Sequence, residues 1–132
     1  MTVNARLDEA GQLLAAAERD RRALVILSRD PEAPAEIALF LAQQALEKCI
    51  KAVLAIHGIV YRRTHDLLLL ESLARDAALT LPVAHDLLAR ISPYAVEFRY
   101  LGSSAPAVSL MEAQAAVDGA ISWSTAAVDS AY

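Results

Sequence analysis

The sequence predicts an all-α fold, and three observations carry that prediction. Apolar residues make up 56% of the 132 residues, above the usual half, and much of the excess is alanine, the strongest helix former. Only four glycines and five prolines interrupt the chain, too few for a series of tight hairpins. Apolar residues recur at helical spacing, and no run alternates with the period of two that a half-buried strand needs. The architecture expected is a five-helix up-and-down antiparallel bundle. One domain over residues 1–132 is anticipated at this length. A fold of this size buries roughly two-thirds of its unfolded-chain surface, so a core is feasible without staples. So large an apolar excess on a small helical chain also points to a homodimer, with some apolar surface buried between subunits.

The first helix is predicted over Val3 to Ser28, where Val3, Leu7, Ala10, Leu14, Ala17, Leu24 and Leu27 mark one face. Its charged middle, Glu18-Arg19-Asp20-Arg21-Arg22, has the composition of a solvated face. Asp30-Pro31 and Pro34 end the pattern. The second helix runs from about Ala35 to His57 and stops at Gly58, a fitting C-terminal residue. Its core stripe is Leu41, Ala45, Cys49, Ala52 and Ile56, flanked by Ile37, Phe40 and Val53. At 1.5 Å per residue it would be on the order of 35 Å long.

Thr64 or Asp66 can cap a third helix, Leu67 to about Ala78. Pro82 suits the first turn of a fourth, about Val83 to Ile91, which Ser92-Pro93 kinks or ends. Tyr94 to Tyr100 is predicted to resume as a short helix, and Gly102-Ser103-Ser104-Ala105-Pro106 as a loop. Ser109-Leu110-Met111-Glu112 has the capping-box pattern that opens a last helix. Its stripe is Leu110, Ala113, Val117, Ala120, Ile121, Ser124 and Val128, with Trp123 off the stripe's centre.

Bulk properties exclude several functions. A net charge of −4 argues against a protein held on nucleic acid by overall charge, while leaving room for a local basic site. One cysteine, Cys49, and three scattered histidines offer no disulfide framework and no metal-ligand spacing. Asp8 and Glu9 arrive before any apolar run, unlike a signal peptide. No stretch is long and apolar enough for a transmembrane helix. A cytoplasmic protein without metal or cofactor, and without a membrane partner, is the expectation. Phosphate-binding glycine loops, serine-hydrolase elbows and zinc-protease pairs are also missing.

Much of the chain's chemical variety is concentrated in Ala38 to Leu70. Gln44, Glu47, Lys48 and Lys51 fall at offsets that place them on one helix edge. As a binding feature, two ammoniums attract a phosphate while Gln44 hydrogen-bonds a base or sugar. As plain structure, Glu47 and Lys51 pair on a solvated edge, contributing a few tenths of a kcal/mol. Spacing alone favours the second reading. The turn Arg62-Arg63-Thr64-His65-Asp66 is similarly double. It caps the next helix, and it places His65, the only histidine amid other polar groups, where it could serve as acid, base or phosphate ligand.

The order of these pieces resembles the HEPN domain family. The resemblance is carried by AQQALEKCIKAVL on the second helix, then a glycine-bearing loop, THDL, and the later YAVEFRY. It covers most of the chain, from about Leu7 to the final helix. It implies a helical bundle that commonly dimerises and is often encoded beside a minimal nucleotidyltransferase, as two halves of a toxin–antitoxin pair. Many relatives are metal-independent ribonucleases, with an arginine followed four to six residues later by a histidine on a late helix. This chain departs there, because Arg99 is followed by Tyr100-Leu101-Gly102-Ser103-Ser104-Ala105 and no histidine occurs beyond His85.

The resemblance therefore favours a nucleotide- or RNA-binding interaction module and partner of a nucleotidyltransferase. Lys48, Lys51 and Arg99 would contact phosphate, Gln44 and Tyr100 the sugar or base, with Glu47 on the same edge. His65 and Asp66 would order the turn. Arg99 is the strongest single candidate, since it stands where the family's arginine does. The alternatives are an endoribonuclease using Arg99 with His65 or Tyr100, and a purely structural dimer.

Overall fold

Five α-helices build the fold, in a computed structural model that describes residues 2–96 and 108–132. Helix α1, Val3–Ser28, starts where the Thr2 hydroxyl accepts a hydrogen bond from the Ala5 N–H at 3.1 Å, satisfying one of the four orphan donors of a first turn. It ends before Asp30, whose carboxylate accepts from the Glu32 N–H at 2.9 Å and turns the chain. Val3, assigned to the core stripe from sequence, is exposed at the helix start, whereas Ala10, Ala17 and Leu24 are buried.

Helix α2, Ala35–Ile56, follows Pro34. Gly58 terminates it with φ of 68°. The Gly58 N–H donates to the Ala55 carbonyl at 3.0 Å and the Ile59 N–H to the Leu54 carbonyl at 2.9 Å. Those two bonds form a Schellman motif, whose left-handed position glycine fills without steric cost. Thirteen of the helix's 22 residues are buried, so α2 presents a broad face to the core and leaves the edge through Ile37, Leu41, Gln44, Lys48 and Lys51 less buried. Leu39, Leu46, Ile50 and Leu54 are buried as completely as Ala45, Cys49 and Ala52, because α2 is flanked by α1, by the last helix and by the elements that follow it.

Helix α3, Leu67–Asp76, is capped by Asp66, whose carboxylate accepts from the Leu68 and Leu69 N–H groups at 2.9 and 3.4 Å. Thr64 acts one step earlier and accepts from the Asp66 N–H at 3.0 Å. The helix stops short of the predicted Ala78 because Ala78 itself adopts φ of 60° and closes a second Schellman motif, with Leu79 N–H on the Ala74 carbonyl at 2.9 Å. Alanine at a position normally marked by glycine gives no sequence signal.

Helix α4 spans His85–Ile91. Pro82 is not in its first turn as predicted: Ala84 is the extended N-cap residue, and Val83 is buried against the core in the connection before it. Ser92–Ala95 continue as a 3₁₀ turn containing Pro93, so the chain tightens there. Of the short helix predicted over Tyr94 to Tyr100, only the first residues fall within this turn. Residues 97–100 and the loop 102–106 lie outside the described residues. Helix α5, Leu110–Ser130, begins at Ser109, whose hydroxyl accepts from the Glu112 N–H at 3.0 Å. The Glu112 carboxylate turns instead to Arg90 at 3.2 Å and ties α5 to α4.

Helix α1 runs antiparallel to both α2 and α5. Asp20 meets Lys48 midway along α2, and Ala10 packs with Ala52 and Ala55 near its end. Arg21 pairs with Asp118, while Ala10 also packs with Val128 near the end of α5. Helices α2 and α5 are therefore parallel, and α5 begins at the end of the bundle where α2 begins. Alanines 17, 42, 45, 113 and 120 lie fully or almost fully buried in the main core, and their small side chains allow close helix approach. No described helix is long and apolar enough to cross a membrane.

Candidate functional site

The middle of α2 and the turn before α3 meet at one buried carboxylate. Glu47 is 4% exposed. It accepts hydrogen bonds from Lys51 Nζ at 3.0 Å, His65 Nδ1 at 2.9 Å and Gln43 Nε2 at 3.2 Å. The Gln43 amide, wholly buried, also donates to the His65 carbonyl at 2.9 Å. Its own oxygen accepts from Gln44 Nε2 at 2.7 Å. One helix turn of α2 thus grips both the backbone and the ring of His65. The rule that buried charge must be paired and hydrogen-bonded explains the density of partners.

The two lysines assigned to phosphate in the sequence reading both have protein partners. Lys51 is paired with Glu47 and lies 5.7 Å from the Tyr61 ring centroid, within cation–π range. Lys48 reaches across to Asp20 on α1 at 2.5 Å. The expected solvated Glu47–Lys51 pair does form, but it is buried. Breaking it therefore costs far more than the few tenths of a kcal/mol of an exposed pair. His65 stands just before the Asp66 cap and outside the helix proper. It is exposed, as are Asp66, Arg62 and Arg63. With Nδ1–H directed to Glu47, its Nε2 is left for another partner. Arg99 and Tyr100 lie outside the described residues.

A second cluster repeats this design. Glu71, also buried, accepts from Arg75 four residues on at 3.0 Å and from His85 Nδ1 at 2.5 Å. Each cluster joins a buried glutamate, a cation at the fourth residue and a histidine whose side chain is 61% exposed. Sequence reasoning missed Gln43 and Glu71. For Glu71 the available signal was the likeness of ESLAR to EKCIK, each a glutamate with a basic residue four positions later; Gln43 carried none. His57 forms no such pair: its Nδ1 lies 2.9 Å from the Val53 carbonyl oxygen. Among the described residues no group of histidine, cysteine and carboxylates could hold a metal ion.

Cys49 faces α5 in the core, and burial pushes its thiol from an ordinary 9.0 up to about 11, against the opposing hydrogen bond with Ser124. Between those values the unfolded chain ionises while the folded one holds its proton. Stability is complete below pH 9 and is expected to fall by about 1.4 kcal/mol by pH 10. Tyr61, raised by burial and its bond to Glu9, acts in the same direction. Denaturant midpoints at pH 7, 9 and 10 measure this loss, and Cys49→Ala should flatten it. A midpoint that does not move up to pH 10 would contradict the assignment.

Comparison with known proteins adds one finding. The model of the HEPN domain family matches residues 10–122. No curated protein and no solved structure matches the chain.

Proposed function

We propose that this chain, which belongs to the HEPN domain family, acts as a nucleotide- or RNA-binding interaction module. In this reading it works as a homodimer beside a minimal nucleotidyltransferase in a toxin–antitoxin-type pair. One observation carries the choice of binding over cleavage. None of the three histidines follows an arginine by four to six residues, and none lies beyond His85. The arginine–histidine pair of the family's ribonucleases therefore has no counterpart here.

In this reading the sequence candidates take two roles. Glu47 and Gln43, with Gln44 and Lys51 bonded to them, hold the turn before α3, while Lys48 ties α2 to Asp20 of α1. The exposed Arg62, Arg63 and His65 of that turn would contact ligand, and the family resemblance adds Arg99 and Tyr100. Guanidinium groups grip phosphate in bidentate fashion, and a tyrosine ring offers a face for stacking a base. Asp66 orders the turn as a helix cap.

Titration of the purified chain with labelled nucleotides and short RNAs tests this. Binding should weaken at least about tenfold in an Arg62→Ala, Arg63→Ala, Arg99→Ala variant, and should steepen as salt is lowered. Equal affinity in that variant would remove the proposed site. Co-expression with any minimal nucleotidyltransferase that proves to be encoded beside it, followed by light scattering, tests the partner and the dimer.

A second reading draws on a specific contact. A histidine held through Nδ1 by a buried carboxylate is the arrangement a general base uses, and His65 on Glu47 has it. RNA cleavage without metal, lost in both His65→Ala and Arg99→Ala, would establish the ribonuclease instead.

A further inference from the structure

At the end of the bundle where α1 begins and α2 stops, a half-open recess of about 170 Å³ lies against Arg6, Ala55, Ile59, Val60 and Tyr61. Its lining is mostly apolar. The volume is close to that of cavities that accept benzene-sized molecules. Two charged residues line it, Arg6 and Glu9. Arg6 Nε is buried and lacks a hydrogen-bond partner, the single such side-chain atom among the described residues. A buried donor without an acceptor is costly, and native chains seldom leave one.

The Arg6 guanidinium lies against the backbone at Gly58. Gly58 lies so close that a Cβ at that position would overlap Arg6 Nη1. The left-handed φ that ends α2 calls for glycine, and the same lack of a Cβ leaves room for the Arg6 guanidinium. Glu9 also lines the recess, but its carboxylate accepts the Tyr61 hydroxyl at 3.0 Å. No carboxylate among the described residues pairs with Arg6. Lys51 is 5.7 Å from the Tyr61 ring centroid and is paired to Glu47, so its charge is already matched.

We propose that this recess binds a small apolar carboxylate. The carboxylate would lie on the Arg6 guanidinium, and the apolar body against Ala55, Ile59 and Val60. A guanidinium fork matches a carboxylate bidentately. A phosphate dianion fits less well, since among the described residues Arg6 is the only cation lining the recess and the Glu9 carboxylate lines it too. The chemistry is shared by a free organic acid and by the C-terminal residue of a peptide with a branched or aromatic side chain.

Amide spectra of the ¹⁵N-labelled full chain distinguish these sources and test the site. Benzoate and a short peptide ending in leucine with a free carboxylate are the two probes. At least one should give saturable shifts confined to the amides around Arg6, Ala55, Gly58 and Tyr61. Benzyl alcohol, or the same peptide with an amidated end, should bind at least about tenfold more weakly. Binding should fall by a similar factor in Arg6→Met. It should also fall in Val60→Asp, which adds a negative charge at a residue 89% exposed and so leaves the fold intact. Absence of saturable shifts with both acids would overturn the proposal, as would equal affinity in the two variants.

Discussion

Glu47→Ala is expected to destabilise the fold by about 3–5 kcal/mol, the range for removing one partner of a buried ion pair. The reason is what the substitution leaves behind. Lys51, with only 13% of its side chain exposed, would keep a charge with no acceptor. The wholly buried Gln43 would lose one acceptor for its amide. His65 would lose the group that orients its ring, though its exposure makes that the smallest part. Glu47→Gln retains the volume and one acceptor oxygen, and should cost less. Replacing both charges, as in Glu47→Leu with Lys51→Met, should cost less than the two single changes added together, because no orphaned charge remains. Urea denaturation with a fixed m-value reads all three. A loss below about 1 kcal/mol in Glu47→Ala would mean that water already solvates this carboxylate.

The helices were legible in the sequence wherever their ends carry capping chemistry. Thr2, Gly58, Asp66 and Ser109 are residues whose side chain, or lack of one, performs the cap. Boundaries were misjudged where the backbone does the work unaided. Ala78 adopts a glycine-like φ, and Ala84 caps α4 without a side-chain bond. Pro82 misled because a proline suitable for a first turn is equally suitable for the bend before it.

The candidate site was legible as a set of residues but not as an arrangement. Helical spacing placed Gln44, Glu47, Lys48 and Lys51 on one edge, which is correct for an isolated helix. It could not show that α1 and the 57–66 turn cover that edge. Burial reversed the roles. A solvated pair became an internal brace, and the ammoniums that would have met phosphate met Asp20 and Glu47. Gln43 was overlooked because a glutamine beside an apolar stripe carries no periodic signal, yet it is the most buried polar group of the cluster. The apolar excess has a similar explanation. Many of the alanines lie between helices within one chain, so the excess is partly absorbed without a second subunit.

Two neighbouring residues on α2 test whether it is the central helix. Leu46 and Ala45 are both fully buried in the main core. A helix with one buried stripe would tolerate enlargement on its free side. For α2 opposite changes in size should both be harmful. Leu46→Ala removes three carbons from a packed site and is expected to cost about 2–5 kcal/mol, depending on how far the surroundings collapse. Ala45→Leu adds three carbons where α2 has no room, and should cost about 1–3 kcal/mol through forced side-chain and backbone shifts. The two should combine without full cancellation, because the space opened at position 46 is not the space required at position 45. Thermal and urea unfolding of the three variants check this. A neutral Ala45→Leu would place that face of α2 at the surface and contradict its burial in the main core.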